Sequence, residues 1–240
     1  MRLDQYLVEV IQIESRSKAQ KLIAEGCVMV NQKLVNKSSF EITEEVSIEI
    51  LPSKELRYVS IGGLKLEKAI QDFQLDFKDV IVLDIGASTG GFTDCAIQHG
   101  AEKVVAIDVG SNQLHPSLQN HPKVLSMEQT DIRDVETLPY SFDYIVVDVS
   151  FIKLEHIIPS LQRFSNPNTK IVVLVKPQFE NTTHLRFKKG IIKDAKTRLK
   201  LLDGVKAEFL KGGFQFLNET TTEADGKTKN IEFLCLLTKI

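Results

Sequence analysis

The segment Val82-Leu83-Asp84-Ile85-Gly86-Ala87-Ser88-Thr89-Gly90-Gly91-Phe92 carries an apolar run into a carboxylate and then turns through glycines into a helical pattern. A parallel-sheet protein builds a nucleotide-sized pocket in this way, at the C-terminal end of its first strand. Glycine spacing narrows the ligand. A dinucleotide site uses G-x-G-x-x-G to bring backbone against a pyrophosphate, whereas the order here is G-x-x-x-G-G. That order suits a ligand with a ribose and an adenine but no pyrophosphate, and S-adenosylmethionine (SAM) is the expected one. The competing reading is a glycine-rich turn that binds nothing. If the site is real, its cofactor contacts are Asp84, Gly86, Ser88, Thr89, Gly90, Gly91 and Phe92. Asp108, at the tip of the next apolar run, could accept hydrogen bonds from both ribose hydroxyls, with Val109 beside it. Asp131 and Ile132 follow the third strand, where an adenine would be met; Asp131 could equally be a plain loop carboxylate.

These residues need a scaffold that gathers them. From Val80 onward, apolar runs alternate with helical patterns: Val80–Asp84, a helix near Phe92–His99, Lys103–Asp108, Lys123–Met127, Tyr144–Val149 and Lys170–Val175. A helix over about Asp194–Lys211 follows, then strands near Phe214–Thr221 and Ile231–Thr238. Continuous apolar strands between helices predict an α/β fold, an open and mostly parallel Rossmann-like sheet buried on both faces. In that arrangement Asp84, Asp108, Asp148 and Lys176 all stand at the strands' C-terminal rim, the place where such sheets bind ligands. A preceding helix has the stripe Leu66, Ala69, Ile70 and Phe73. Lys65 lies off that stripe in the first turn, where the helix dipole disfavours a cation.

Bulk composition removes several function classes. With 42% hydrophobic and 26% charged residues and a net charge of −2, the chain reads as soluble and globular. No apolar run approaches the ~20 residues of a membrane span, and the amphipathic N-terminus is unlike a signal peptide. Cys27, Cys95 and Cys235 are far apart within apolar patterns, so they are expected as buried thiols in a reducing, cytoplasmic setting. No Cys/His cluster has metal spacing, and the histidines form no constellation. Positive charge is concentrated. Arg16, Lys18, Lys21, Lys33 and Lys37 face only Glu25 within their stretch, and Arg186, Lys188, Lys189, Lys193, Lys196, Arg198 and Lys200 face only Asp194. Such runs are either solvated faces or phosphate contacts.

Residues 1–57 form a separate small α+β module. Leu3, Tyr6, Leu7 and Val10 mark one helix. Ser15 or Ser17 can cap a second, with Ala19, Leu22 and Ile23 inward and Gly26 at its end. Short strands at Cys27–Val30 and Lys33–Val35 flank a turn at Asn31-Gln32, and Val46–Ile50 alternates as another strand. The order from Arg2 to Leu7 and from Ser15 to Val35 resembles the S4-like RNA-binding domain. The resemblance implies that Arg2, Arg16, Lys18, Lys21, Lys33 and Lys37 contact RNA. Ammonium and guanidinium groups neutralise phosphates without reading sequence.

Residues 58–63 read as a linker and 64–240 as the catalytic domain. The linker, the D-I-G-x-S-T-G-G-F loop, Val147-Asp148-Val149-Ser150-Phe151-Ile152 and Leu174-Val175-Lys176-Pro177-Gln178-Phe179-Glu180 together resemble the TlyA (hemolysin A) family. That resemblance implies an S4-like domain joined to an FtsJ-like class I methyltransferase with SAM as cofactor and ribosomal RNA or ribosomal subunits as partner. It implies ribose 2′-O-methylation through a tetrad that falls on Lys65, Asp148, Lys176 and Glu232, with no metal and no membrane, in a monomer or weak homo-oligomer. Arg57, Arg186, Lys188 and Lys189 would join the RNA contacts. The chain departs from the family pattern at Ile61, at Asp131, and in the stretches Asn181–Leu185 and Glu223–Asn230. Three alternatives stand beside this reading. One is an RNA-binding or ribosome-assembly protein without turnover. Another is a cytolysin, opposed by the lack of a span, and the last a dinucleotide oxidoreductase, opposed by the glycine spacing.

Overall fold

The computed structural model describes residues 1–13, 15–43, 46–51, 53, 57–180, 187, 190–222 and 229–240. They form two compact units, Met1–Tyr58 and Val59–Ile240.

In the first unit, helices α1 (Leu3–Glu9) and α2 (Arg16–Ala24) precede strands β1 (Val28–Val30), β2 (Lys33–Leu34) and β3 (Ile48–Ile50), which form an antiparallel sheet in the order β2-β1-β3. Ser15, not Ser17, caps α2 by accepting from the Lys18 amide at 3.2 Å. The β1–β2 turn works because Asn31 and Gln32 both adopt positive φ (48° and 63°), the geometry that matches strand twist in a two-residue hairpin. Leu3, Leu7, Ala19, Leu22, Ile23, Val28, Val30 and Ile42 make the core. Two expectations fail locally. Val10 lies past the end of α1 and is 51% exposed. Cys27 is only partly buried because it precedes β1 rather than lying within it, while Cys95 and Cys235 are buried.

The second unit opens with α3 (Gly62–Phe73). It continues through β4 (Ile81–Ile85), α4 (Gly91–Gln98), β5 (Lys103–Ile107), the single turn α5 (Pro116–Gln119), β6 (Val124–Met127) and β7 (Tyr144–Val147). Next come α6 (Ile158–Phe164), β8 (Lys170–Val175), α7 (Ala195–Lys211), β9 (Phe214–Thr221) and β10 (Phe233–Lys239). The seven strands run β6-β5-β4-β7-β8-β10-β9, with β10 antiparallel to both neighbours and the other pairings parallel. Alternation along the strands divides the core. Leu83, Ile85, Val105, Ile107, Ile145, Val147, Ile171 and Val173 pack with Leu202, Val205 and Phe209 of α7. The intervening Val82, Val104, Ala106, Val146 and Val172 are buried on the other face, the side on which α4 meets β4 and β5. This is the doubly covered sheet that continuous apolar strands require.

Two strand ends shift in ways that matter for the site. β4 continues through Ile85, so Asp84 lies inside the strand rather than at its tip, and β7 stops at Val147, leaving Asp148 just beyond it. Gly86 then turns the chain at φ +84°, and a Cβ there would lie 2.7 Å from the Asp148 carbonyl oxygen. Both the sign of φ and the contact demand glycine. We expect Gly86→Ala to cost about 1–3 kcal/mol and to lower the melting temperature by several degrees. A thermal melt of the variant beside the unaltered protein checks this; an unchanged midpoint would show that the contact relaxes freely.

Candidate active site

Two cavities open on the rim of the sheet in the second unit, of about 400 Å³ and 210 Å³. The larger lies in the size range of small-ligand pockets. Gly86, Ser88, Asp148 and Ser150 line both, so the two chambers adjoin across the turn after β4 and the segment after β7.

Of the residues expected to hold a cofactor, Gly86, Ser88, Asp108, Val109, Asp131 and Ile132 line the larger cavity. Asp108 accepts from the Ser88 amide (2.8 Å) with one oxygen and from the Gly110 amide (2.7 Å) with the other. It thereby ties the glycine loop to its own turn, and each oxygen keeps a lone pair for a hydroxyl. Val109 offers a 70% exposed apolar face. Asp131 is already paired. It caps the 3₁₀ turn Ile132–Asp134 and receives Arg133 Nη2 at 2.5 Å and Nε at 2.9 Å, which holds its carboxyl below the usual range. The expectation of a lone carboxylate facing an adenine is thus replaced by an Asp131–Arg133 pair on the cavity wall.

Gly91 and Phe92 line the smaller cavity, while Asp84, Thr89 and Gly90 line neither. The Thr89 carbonyl accepts from the His115 amide at 3.1 Å. Gly90, at φ +96°, starts α4 with its backbone against Leu114 and Leu118. Asp84 is completely buried because β4 extends past it. One of its oxygens accepts from Thr93 Oγ1 at 2.6 Å, and the other has no hydrogen-bond partner among the described residues. Its place is under the loop, anchoring α4 through Thr93.

Lys65, Asp148 and Lys176 line the smaller cavity, and Glu232 stands behind Lys65. The four make two charge pairs, Lys65 Nζ to Glu232 Oε2 at 2.7 Å and Lys176 Nζ to Asp148 Oδ1 at 2.5 Å. The second is a close charge contact without hydrogen-bond directionality, since Asp148 Oδ1 receives no well-angled donor. Lys176 donates instead to Ser150 Oγ at 2.7 Å. Lys65 reaches the site because α3 starts beside α4: a Cβ on Gly91 would fall 2.8 Å from the Gly63 nitrogen. Chemically, two lysines held by two carboxylates can orient a hydroxyl, and one of them in its neutral amine form can take its proton beside whatever fills the larger chamber.

Several contributors carried no signal beyond the motifs around them. Ser150 holds Lys176. Glu128 collects the amides of Asn112, Gln113 and Leu114 at 2.7–2.9 Å and so fixes the loop that brings Gln113 to the larger cavity. Glu180, buried, accepts from the Leu154 amide at 3.0 Å and caps the 3₁₀ turn Leu154–Ile157 below that cavity. Phe151 lies at the cavity mouth, 92% exposed and at φ +64°, an unusual state for a bulky side chain. Its ring meets Phe179 at 5.1 Å between centroids.

In the first unit, Arg2 and Arg16 converge on the fully buried Asp4. Arg2 makes two contacts (3.0 and 3.1 Å), Arg16 one at 2.9 Å, and Gln20 a further one at 2.8 Å. Both guanidinium groups remain about half exposed. Lys33 and Lys37 are exposed, as is Arg57, while Lys18 and Lys21 are partly buried. Arg186, Lys188 and Lys189 lie outside the described residues, as do most of the divergent stretches 181–185 and 223–230.

Residues 58–239 match the FtsJ-like methyltransferase family, and residues 1–48 match the S4 domain. A protein named Hemolysin A from Brachyspira hyodysenteriae is 41% identical over 98% of both chains. One named 16S/23S rRNA (cytidine-2′-O)-methyltransferase TlyA from Mycobacterium tuberculosis is 32% identical over 98% of this chain and 89% of its own. A solved structure described as a hemolysin, from Streptococcus thermophilus, aligns with a TM-score of 0.75 at 37% identity, covering all of this chain and 88% of the other. Among the described residues, no helix is long and apolar enough to cross a membrane.

Burial at the site has a consequence for stability. Desolvation is the main force pushing Asp84 up to about 7, with Asp148 and Asp108 adding to it; burial likewise pushes Glu180 up to about 7. In an unfolded chain both ionise near pH 4. The fold therefore keeps protons that the unfolded chain has lost, and these groups make stability fall as pH rises from about 4 to about 7 and level off above that. For Asp84 alone the full effect is on the order of 4 kcal/mol. We expect Asp84→Asn to flatten this slope while leaving the Glu180 part. Urea unfolding at pH 5 and pH 8 measures it; an identical slope in the variant would show that Asp84 titrates normally.

Proposed function

The chain belongs to the FtsJ-like methyltransferase family with an S4 domain ahead of it, and we propose that it methylates a ribose 2′-hydroxyl of ribosomal RNA. The observation that carries this reading is the placement of Lys65, Asp148 and Lys176, with Glu232 behind Lys65, at a cavity that shares Gly86, Ser88, Asp148 and Ser150 with a nucleoside-sized one. The relative from Mycobacterium tuberculosis, by its name a cytidine-2′-O-methyltransferase of rRNA, supports the substrate class.

The larger cavity fits SAM by the chemistry of its walls. Asp108 has lone pairs for the ribose hydroxyls, Val109 and Ile132 offer apolar faces for the adenine, and the bare backbone at Gly86 leaves room for close approach. When bound, SAM supplies an electrophilic methyl group on a positively charged sulfur. The ribose 2′-oxygen would accept that methyl, leaving a neutral thioether, and its proton would pass to Lys176 Nζ acting as the neutral amine. Asp148 and Ser150, both within reach of Nζ, aim that amine. Lys65, braced by Glu232, holds the ribose in line with the methyl group, where positioning supplies much of the rate. No step in this scheme uses a metal.

The same reading gives residues 1–57 the role of gripping RNA, 58–63 that of a link and 64–240 that of catalysis. The Arg2–Arg16 pair, pre-set by Asp4, suits phosphate oxygens, with Lys18, Lys21, Lys33, Lys37 and Arg57 adding charge. Phe151, exposed and backed by Phe179, suits stacking on a base turned out of its helix, the usual way proteins hold unpaired RNA. The protein then acts in the cytoplasm on ribosomal RNA or subunits, as a monomer or weak homo-oligomer.

The test is transfer of labelled methyl from SAM into ribosomal subunits from cells lacking this protein. We expect label at a ribose 2′-oxygen, reduced at least about 100-fold by Lys176→Ala or Asp148→Asn, with SAM affinity held within a few-fold. Arg16→Ala should weaken RNA binding and lessen its salt dependence. Label on a base, or full transfer by Lys176→Ala, would overturn the proposal.

A further inference from the structure

Building on that reading, we propose that Gln178 is a positioning residue of the transfer reaction, acting through Glu232 on Lys65. Gln178 lies two residues beyond Lys176 in the turn Lys176–Glu180, whose hydrogen bonds run from the Phe179 amide to the Lys176 carbonyl and from the Glu180 amide to the Pro177 carbonyl. That turn points its side chains at different partners: Lys176 at Asp148, Phe179 at Phe151 and Glu180 at the Leu154 amide. Gln178 turns to Glu232. Its Nε2 donates to Glu232 Oε1 at 3.2 Å while Lys65 Nζ occupies Oε2 at 2.7 Å.

The two contacts have different effects. An ammonium group on one oxygen neutralises the carboxylate but leaves it free to swing together with a flexible lysine. A second donor on the other oxygen fixes the carboxylate plane, and with it the direction in which Lys65 is held. Chemistry settles the amide's orientation, because turning it over would aim a carbonyl oxygen at a carboxylate. In the favourable orientation Gln178 Oε1 is buried with no hydrogen-bond partner among the described residues. An unpaired buried acceptor is costly, and an apolar side chain of similar volume would fill the space without that cost. The value of glutamine here therefore lies in the N–H it presents to Glu232. Gln178 lines neither cavity, so its effect on substrate passes through the pair it holds.

The test replaces Gln178 with methionine, close in shape but without a donor, and with glutamate, close in shape but with a carboxylate facing Glu232. Single-turnover methyl transfer is measured for each, together with SAM affinity, RNA affinity and melting temperature. We expect the rate to fall about tenfold in Gln178→Met and further in Gln178→Glu, with both affinities within about twofold. In a Glu232→Ala background, Gln178→Met should change the rate by less than about twofold, since the group it acts through is gone. Rescue by a residue that restores a donor, as in Gln178→His, would support the same account. An undiminished rate in Gln178→Met, or a tenfold loss that persists after Glu232→Ala, would overturn it. Should the methionine variant fold poorly, the glutamate variant carries the comparison. The unaltered protein run alongside separates the two ideas: transfer there with no effect at Gln178 rejects only the positioning role, and no transfer there rejects the enzyme reading itself.

Discussion

Parallel pairing in register is the constraint on which the second unit depends. Ile85 lies opposite both Ile107 and Val147, and Val147 lies opposite Val173, so the chain leaves β4, β5, β7 and β8 at one common rim. The residues just past each strand then differ in chemistry, with the glycine turn after β4, Asp108 after β5, Asp148 after β7 and Lys176 after β8. Glu232 reaches the rim from the opposite direction, at the entrance to antiparallel β10.

Charge within this rim is balanced locally. Each lysine has its own carboxylate, and the backbone or a hydroxyl satisfies part of what remains. Buried charge pairs are weak contributors to stability, because desolvation consumes much of their Coulomb gain; their use here is to hold side chains at fixed distances. The first unit applies the same device with one carboxylate serving two cations. Asp4, completely buried, organises Arg2, Arg16 and Gln20 and leaves the two guanidinium groups half exposed. In both units carboxylates set the direction of the cations paired with them, the arginines half exposed in the first unit and Lys176 buried in the second.

Much of the fold was legible from pattern alone. Apolar runs bounded by glycine and charge located the strands, and the i, i+3, i+4, i+7 stripe of Leu66, Ala69, Ile70 and Phe73 located the helix that carries Lys65. Strand ends were less legible, and a shift of a single residue was enough to move Asp84 from the expected rim into the interior of β4. Local motifs also say little about partners far away in the chain. Nothing near Glu128 signals that it binds three consecutive amides, and nothing near Gln178 signals Glu232. Asp131 illustrates the reverse: its own turn supplied Arg133, a neighbour in plain view whose pairing only the backbone geometry reveals.

The position of β10 bears on how the second unit is assembled. β10 lies between β8 and β9 in the sheet although both precede it in the chain, and the Lys65–Glu232 pair joins residues 167 apart. Until β10 is made, β8 presents an unpaired edge of Ile171, Val172, Val173, Leu174 and Val175, the kind of strand that recruits other chains. Contacts this distant slow folding because loop closure must be completed before they contribute. The first unit, whose helices and strands follow one another closely, can form early. The second must wait for β10, so during synthesis its nascent chain offers a sticky apolar edge for which a holding chaperone would be useful.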